Sequence, residues 1–261
     1  MIGACIKWLD ELRAPGDDRF GGISPADQGA LELALRHGEL LGEPVVVVSA
    51  GGAGAERALR EALACGASRV VRIDGVGNDS LDVATALAGV LRGARFVWCG
   101  DMSSDRGSGS VPAFLAALLD ARQALGGVAV ELGEGTSLVV TRRLDGGRRE
   151  VLSAAEPCVV SVEGGVARLR RAGLAASLRA GSAEVEVVVA PVAAERHLQP
   201  LVRPYRPRAR ALAAPHGGTL ERLRQLTDSA GVAAHGERVT LDPPAAAERI
   251  VSALREWGYL S

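Results

Sequence analysis

A loop rich in hydroxyl, glycine and acidic residues occupies positions 100–110, directly after the apolar run 94–99. Glycine lets the backbone approach a ligand, and the helix expected from Val111-Pro112 would offer N–H groups at the positive end of its dipole. Ser108 and Gly109 are placed to present N–H groups to an anion, and Ser110 is placed to cap the helix. We therefore predict a phosphate-binding site here. A polar surface loop with a good helix cap is the alternative.

A second glycine-rich turn, Ala50 to Gly54, follows the apolar run Val45–Val48. It could also receive a phosphate, but it lacks the G-x-G-x-x-G spacing and does not follow the first strand, so a Rossmann NAD site is disfavoured. A plain tight turn explains this segment as well as a ligand site does.

Residue sets suited to acid–base or nucleophilic catalysis are missing from the sequence. None of the four histidines lies in a loop that follows a predicted strand, and the cysteines Cys5, Cys65, Cys99 and Cys158 have no metal-ligand spacing. We predict buried free thiols, no metal and no catalytic residue. Lys7, the one lysine among 30 basic residues, is interpreted as a codon-composition bias and not as a site.

The first 120 residues alternate between apolar runs and helical patterns. Strands are predicted over 2–8, 45–48, 69–73 and 94–99, with helices at 24–41, 55–64, 80–92 and from 111. This alternation indicates an α/β fold with an open, mainly parallel sheet and helices on both faces. Ligands bind such sheets outside the carboxyl ends of the strands, which here are the loops 9–24, 50–54, 74–79 and 100–110.

Short strands then follow one another and predict an antiparallel extension of the sheet. They are expected at 128–132, 137–144, 148–154, 158–163 and 184–190, and Asp145-Gly146 supplies a hairpin turn. Residues 191–218 carry five prolines and predict an extended C-terminal arm, followed by helices at 220–229 and 245–257. The chain is thus divided into a nucleotide-binding domain, 1–190, and a partner-binding segment, 191–261.

Composition limits the classes of function. The chain has 261 residues, 48% of them apolar, and its net charge of -1 argues against nucleic acid as a partner. The N-terminus does not have the pattern of a signal peptide, and no apolar run is long enough to span a membrane. We expect a cytoplasmic protein.

Several segments together resemble the beta subunits of electron transfer flavoproteins. They are Ile23–Arg36, Val46–Gly51, Leu59–Arg69 with its A-L-A-x-G-A-x-R pattern, Arg143–Gly147 and Pro157–Val162. The resemblance covers about residues 1–190. It implies a heterodimer with an alpha subunit that holds most of the FAD, while the beta subunit holds AMP or, in bifurcating members, a second flavin.

The resemblance also implies site residues. The nucleotide site would comprise Cys5, Ser24, Pro25, Asp27, Ala50, Gly51, Asp101, Asp105, Ser108, Gly109, Ser110 and Val111. The family's dehydrogenase-recognition loop falls on residues 168–180, beginning at Arg168, with Leu174 as its anchor leucine and Arg179 in place of its first lysine. This chain differs from the family at Ser24 and Ser110 and has lost the lysine run of that loop. Such a divergent, arginine-rich chain fits the actinobacterial type that accompanies the redox cofactor mycofactocin.

The resemblance implies an electron carrier between a dehydrogenase donor and a downstream acceptor, which could be membrane-bound. In the arm, Arg203, Tyr205 and Arg206 are expected to bind the alpha subunit. The alternative is that the arm is a flexible linker to the C-terminal helices. The alternative function is a stand-alone adenine-nucleotide-binding protein of the same α/β class.

Overall fold

The computed structural model describes residues 1–9, 21–77, 79–132, 137–190, 216–227 and 239–260. The strands are β1 (Ile2–Cys5), β2 (Trp8–Leu9), β3 (Gly22–Ile23), β4 (Val45–Ala50), β5 (Arg69–Asp74), β6 (Phe96–Gly100), β7 (Arg122–Leu132), β8 (Ser137–Arg143), β9 (Arg149–Ala155), β10 (Cys158–Val162) and β11 (Glu186–Val189). The helices are α1 (Pro25–Leu41), α2 (Ala55–Cys65), α3 (Ser80–Leu91), α4 (Val111–Leu118), α5 (Leu174–Gly181), α6 (Thr219–Thr227) and α7 (Pro243–Glu256).

A nine-stranded sheet organises the first two hundred residues, in the order β11-β5-β4-β1-β6-β10-β7-β8-β9. The strands from β11 to β7 are parallel to one another, and β8 and β9 add an antiparallel end. Strands β2 and β3 form a separate antiparallel pair. The predicted fold class, a mainly parallel sheet with an antiparallel extension, is confirmed.

Local sequence signals explain where the helices begin and end. The Ser24 side chain accepts a hydrogen bond from the Asp27 N–H at 3.0 Å, and Pro25 occupies the first position of α1, where no N–H is needed. Gly42 ends this helix in the left-handed region, at φ 65°. Asp79 caps α3 in the same way as Ser24 caps α1.

Two apolar clusters lie on opposite faces of the sheet. One contains Phe96, Trp98 and the inner face of α1, and the other contains Val97, Leu87 and Leu115 from β6, α3 and α4. Central strands such as β4 and β10 are therefore buried on both faces, which is why their sequences are continuous apolar runs.

The structure differs from the sequence-based expectation at two strands. The first strand ends at Cys5 rather than at residue 8, because Trp8 pairs instead with Ile23. Strand β7 begins at Arg122, well before the predicted Val128, and its first residues pair in parallel with β10. Gly126 has a positive φ of 72°, which is typical of a turn. Here it lies at an irregularity in the pairing of β7 with β10, and its N–H donates to the Ser161 hydroxyl at 2.9 Å.

The chain separates into two units, Met1–His197 and Leu198–Ser261. Residues 191–215, which include most of the predicted arm, lie outside the described residues, so the division at 190/191 stays a prediction. Helices α6 and α7 are found close to the expected positions. None of the described helices combines enough length with enough apolar character to cross a membrane.

Candidate functional site

A cavity opens at the carboxyl ends of β1, β4 and β6 and is called the strand-end cavity below. From β1 the chain proceeds to β4 and β5 on one side, and then crosses back to β6 on the other side of β1. The strand order therefore reverses between β1 and β6, which is where open parallel sheets bind their ligands. The cavity measures about 590 Å³.

Most of the predicted nucleotide-site residues line this cavity. They are Cys5, Asp27, Ala50, Gly51, Asp101, Asp105, Ser108, Gly109 and Val111. Ser24, Pro25 and Ser110 are not among the lining residues, although the Ser24 hydroxyl accepts the N–H of the lining residue Asp27. Residues far apart in sequence thus converge at one edge of the sheet; that they bind a nucleotide stays a prediction.

The loop 101–110 is folded onto itself by two backbone bonds. Ser103 donates its N–H to the Ser108 carbonyl at 2.9 Å, and Gly107 donates to Ser103 at 2.7 Å. Within the described part of the chain, the N–H groups of Ser108, Gly109 and Ser110 donate to no protein acceptor. These donors are available to an anion.

Two residues of this loop show how tightly it is built. A Cβ on Gly109 would lie 2.4 Å from the Asp101 carbonyl oxygen, so only glycine fits at this position. Ser110 precedes α4, but its side chain makes no capping bond, because its backbone is helical (φ -84°, ψ -21°). The prediction that Ser110 caps the helix is therefore wrong.

The turn 50–54 forms a second wall of the cavity. Gly51 donates its N–H to the Ile73 carbonyl at 3.0 Å, so the turn is held against the end of β5. A Cβ on Gly52 would meet no heavy atom within 4 Å, so packing inside the protein does not require glycine there. The turn is both a tight connection and an open surface that a ligand could approach.

Asp27 is the buried carboxylate of the cavity. One of its oxygens accepts the Lys7 backbone N–H at 3.1 Å. Burial raises the pKa of Asp27 to about 6, although hydrogen bonds from Lys7, Ser24 and Gly100 act in the opposite direction. This carboxylate fixes the entry of α1 against the ends of β1 and β6.

Lys7 is one of several lining residues that were not predicted from the sequence. Its ammonium group lies 2.7 Å from both carboxylate oxygens of Asp105 and 3.1 Å from the Ser103 hydroxyl. Every other cation in the chain except the N-terminal amine and histidine is arginine, so residue type alone distinguishes this position.

The thiols of Cys5 and Cys99 face each other on neighbouring strands at the floor of the cavity. Contact with Cys5 and complete burial raise the pKa of the Cys99 thiol. All four cysteines are free and buried, as predicted. Because the thiolate is the reactive form, this environment makes Cys99 a weak nucleophile.

The strand-end cavity has the chemistry of a nucleotide site. It offers unpaired backbone donors and one ammonium for a phosphate, open glycine backbone, and apolar floor groups such as Cys5 and Val111 for a flat ring. Its described side chains do not form a nucleophile–base–orienter set. The described residues therefore fit an adenine nucleotide.

A second cavity, here called the arginine cavity, lies between α1, α2, α5 and the segment 168–172, and measures about 580 Å³. Arg60, Arg168, Arg170 and Arg171 contribute to its walls. Burial alone would raise the pKa of Glu32, but hydrogen bonds from Arg170 and Arg36 lower it below its ordinary value. Arg170 approaches Glu32 at 3.0 Å and also contacts Glu39, so it fastens the segment to α1.

Helix α5 begins beside the arginine cavity and carries the predicted anchor leucine. Leu174 is 76% exposed and Leu178, one turn later, is 69% exposed. Arg179 lies in the last turn of the helix. The predicted arm residues Arg203, Tyr205 and Arg206 lie outside the described residues.

The sequence is similar to that of known electron transfer flavoproteins. The family model for the electron transfer flavoprotein domain matches residues 17–193. The chain is 35% identical over 144 residues to the electron transfer flavoprotein subunit beta of Thermoanaerobacterium thermosaccharolyticum, covering 53% of this chain and 55% of that protein. It is 35% identical over 176 residues to protein FixA of Rhizobium meliloti (62% and 60% covered).

A yeast relative, the probable electron transfer flavoprotein subunit beta of Saccharomyces cerevisiae, is 31% identical over 172 residues, with 63% of this chain and 66% of the relative covered. The chain thus spans less than two thirds of the length of these curated relatives.

Proposed function

Because this chain belongs to the electron transfer flavoprotein family, we propose that it is the beta subunit of a heterodimeric electron carrier. In this proposal an alpha subunit holds most of the FAD, and the strand-end cavity holds AMP or a second flavin. The assembly takes electrons from a dehydrogenase and passes them to a downstream acceptor. The mycofactocin-associated type stays a prediction of the sequence.

The observation that carries the nucleotide role is the set of unpaired N–H groups at Ser108, Gly109 and Ser110 in a cavity at the strand-order reversal. These donors would bind a phosphate without any rearrangement of side chains, because the loop already holds them in place. Flavin, when bound, supplies the electron transfer; the protein binds, orients and shields. This role requires no acid or base.

The dehydrogenase would dock on α5 and the adjacent arginines. Leu174 and Leu178 form an exposed apolar ridge, Arg179 provides positive charge in the last turn of the same helix, and Arg168 provides it in the wall of the arginine cavity. An apolar anchor surrounded by charge is a common arrangement of transient docking surfaces.

The arm would bind the alpha subunit. Removing residues 191–261 should abolish heterodimer formation, as measured by size-exclusion chromatography of the two chains together. If the truncated chain still elutes with the alpha subunit at full stoichiometry, the arm is only a linker.

The proposed function is tested by co-expressing this chain with a candidate alpha subunit and recording the absorbance spectrum of the purified complex. We expect flavin absorbance, and adenine nucleotide or extra flavin in acid extracts. Extracts with nothing beyond the partner's FAD would overturn the nucleotide role. A chain that binds AMP or ATP as a monomer or homodimer, without flavin or partner, would instead indicate a stand-alone nucleotide-binding protein.

A further inference from the structure

Lys7 connects three parts of the strand-end cavity. It follows β1 directly, its backbone N–H binds Asp27 at the start of α1, and its ammonium group reaches Ser103 and Asp105 in the loop 101–110. Ser103 in turn binds the Ser108 carbonyl, at the beginning of the unpaired N–H groups. Ser103 therefore bridges the two: its hydroxyl contacts the ammonium group, and its N–H binds the residue at which the predicted phosphate donors begin.

The residue type at this position is informative. Lysine carries a compact charge with three rotatable donors, whereas arginine carries a planar fork of donors. One ammonium here serves a hydroxyl and both oxygens of a carboxylate at once. In a chain that otherwise uses arginine, a lysine at the cavity indicates that a point charge is needed there.

The charges that line the cavity determine whether the Lys7 ammonium group is available to a phosphate. Among the described residues, the lining contains three carboxylates, Asp27, Asp101 and Asp105, and two cations, Lys7 and Arg106. Burial alone would raise the pKa of Asp105, but contact with Lys7 and Ser103 lowers it, so Asp105 is ionised at neutral pH. A phosphate that enters this cavity meets a cation already paired with a carboxylate.

We propose that Lys7 is the phosphate-binding cation of the strand-end cavity and that Asp105 competes with the nucleotide phosphate for its ammonium group. This inference rests on the proposed function, because it takes the ligand to be a phosphate ester of adenosine. The Lys7–Asp105 pair then sets how strongly the site prefers a phosphorylated nucleoside over the bare nucleoside. Charge-assisted bonds to phosphate are strong enough to give such a preference.

The test compares AMP with adenosine by isothermal titration calorimetry on the full-length chain, freed of co-purified nucleotide. Lys7→Met removes the charge and keeps the length, and should weaken AMP binding about tenfold or more while leaving adenosine unchanged. Asp105→Asn keeps the shape and removes the competitor, and should strengthen AMP binding about three- to tenfold, again without an effect on adenosine.

The matched controls are Arg69→Met and Glu186→Gln, which break a half-exposed ion pair of 2.7 Å outside this cavity. They should leave the affinities for both ligands unchanged. Asp105→Asn retains the lysine and its hydroxyl contact, so it tests the inference even if Lys7→Met fails to fold.

The outcomes separate this inference from the proposed function. If the wild-type chain binds AMP and Lys7→Met binds it equally well, or if AMP and adenosine weaken together, Lys7 is not a phosphate ligand and only this inference falls. Weaker AMP binding by Asp105→Asn would overturn it as well. If the wild-type chain binds neither AMP, adenosine nor FAD, the nucleotide site itself is wrong.

Discussion

The two cavities have nearly the same volume and opposite construction. The strand-end cavity is walled by backbone at strand ends, with unpaired N–H groups and a single lysine. The arginine cavity is walled by side chains of helices and of the segment 168–172, and one of its arginines, Arg170, is already paired with Glu32 and Glu39.

This difference separates two kinds of recognition. Backbone donors are fixed by the fold and lose little entropy when they bind, so they suit a small ligand held for a long time. Exposed arginine and leucine side chains must be ordered at each encounter, so they suit a partner protein that binds and leaves. The predictions below test each side of this comparison.

The largest effect is expected at Gly109. Gly109→Ala places a Cβ 2.4 Å from the Asp101 carbonyl, so the loop must shift and its donors lose their positions. We expect the free energy of unfolding to fall by about 3–4 kcal/mol and nucleotide binding to be lost. Gly89→Ala is the control, because a Cβ there meets nothing within 4 Å and should not destabilise the chain. Equal urea midpoints for both variants would contradict the prediction.

The second effect is a pH dependence at Asp27. Its pKa of about 6 in the folded chain lies above the ordinary 3.8, so the folded chain binds more protons between these values and its stability falls as pH rises through that window. A shift of this size corresponds to about 3 kcal/mol. Relative to Asp27→Asn, the wild-type chain should therefore lose up to about 3 kcal/mol between pH 4 and 7.

This comparison is measured by urea unfolding of both chains across the pH range. His37 is fully buried with its pKa lowered to about 4 by burial, and it opposes the trend in the absolute stabilities. His37 is present in both chains, so its contribution cancels in the difference between their free energies of unfolding. A difference that does not change with pH would show that Asp27 titrates normally.

The third effect concerns the arginine cavity. Arg170→Met removes the guanidinium from buried Glu32, which keeps Arg36 and the backbone N–H of residue 170 as partners, and should lower the free energy of unfolding by about 2 kcal/mol. Adding Glu32→Gln should restore part of the loss. Arg69→Met, which breaks a half-exposed pair, should cost less than about 1 kcal/mol by the same denaturation assay. If Arg170→Met lowers the free energy of unfolding no more than Arg69→Met does, Arg170 does not fasten the segment 168–172 to α1.

The smallest effect on stability is expected at Leu174, where a substitution should instead slow electron delivery from the docked dehydrogenase. Because this side chain is exposed, Leu174→Ala should change the free energy of unfolding by less than about 0.5 kcal/mol. Heterodimer formation should persist, while electron delivery from the dehydrogenase slows about tenfold. Stopped-flow flavin reduction measures this rate, with Val151→Ala, also exposed but on β9, as the control. Equal rates for the two variants would place the docking surface elsewhere.

Local signals in the sequence were sufficient for the order and type of most elements. Ser24-Pro25, Asp79 and Gly42 mark helix boundaries through their own backbone chemistry, and the apolar runs of β4 and β10 reveal burial on both faces. The hairpin at 145–147 followed from glycines that adopt positive φ angles. Such signals depend on a few neighbouring residues, so a single sequence can be interpreted at those positions.

Tertiary structure alone decided how distant segments meet. The insertion of β10 between β6 and β7, and the early start of β7, depend on pairings between residues about 62 apart (β10 with β6) and about 35 apart (β10 with β7), which no local pattern encodes. The Ser110 side chain does not cap α4, because the folded loop gives that residue a helical backbone. Lys7 became a candidate site residue only when the fold brought β1 beside the loop 101–110. The sequence determined which residues could bind a phosphate, whereas the strand-order reversal between β1 and β6 decided that they surround one cavity.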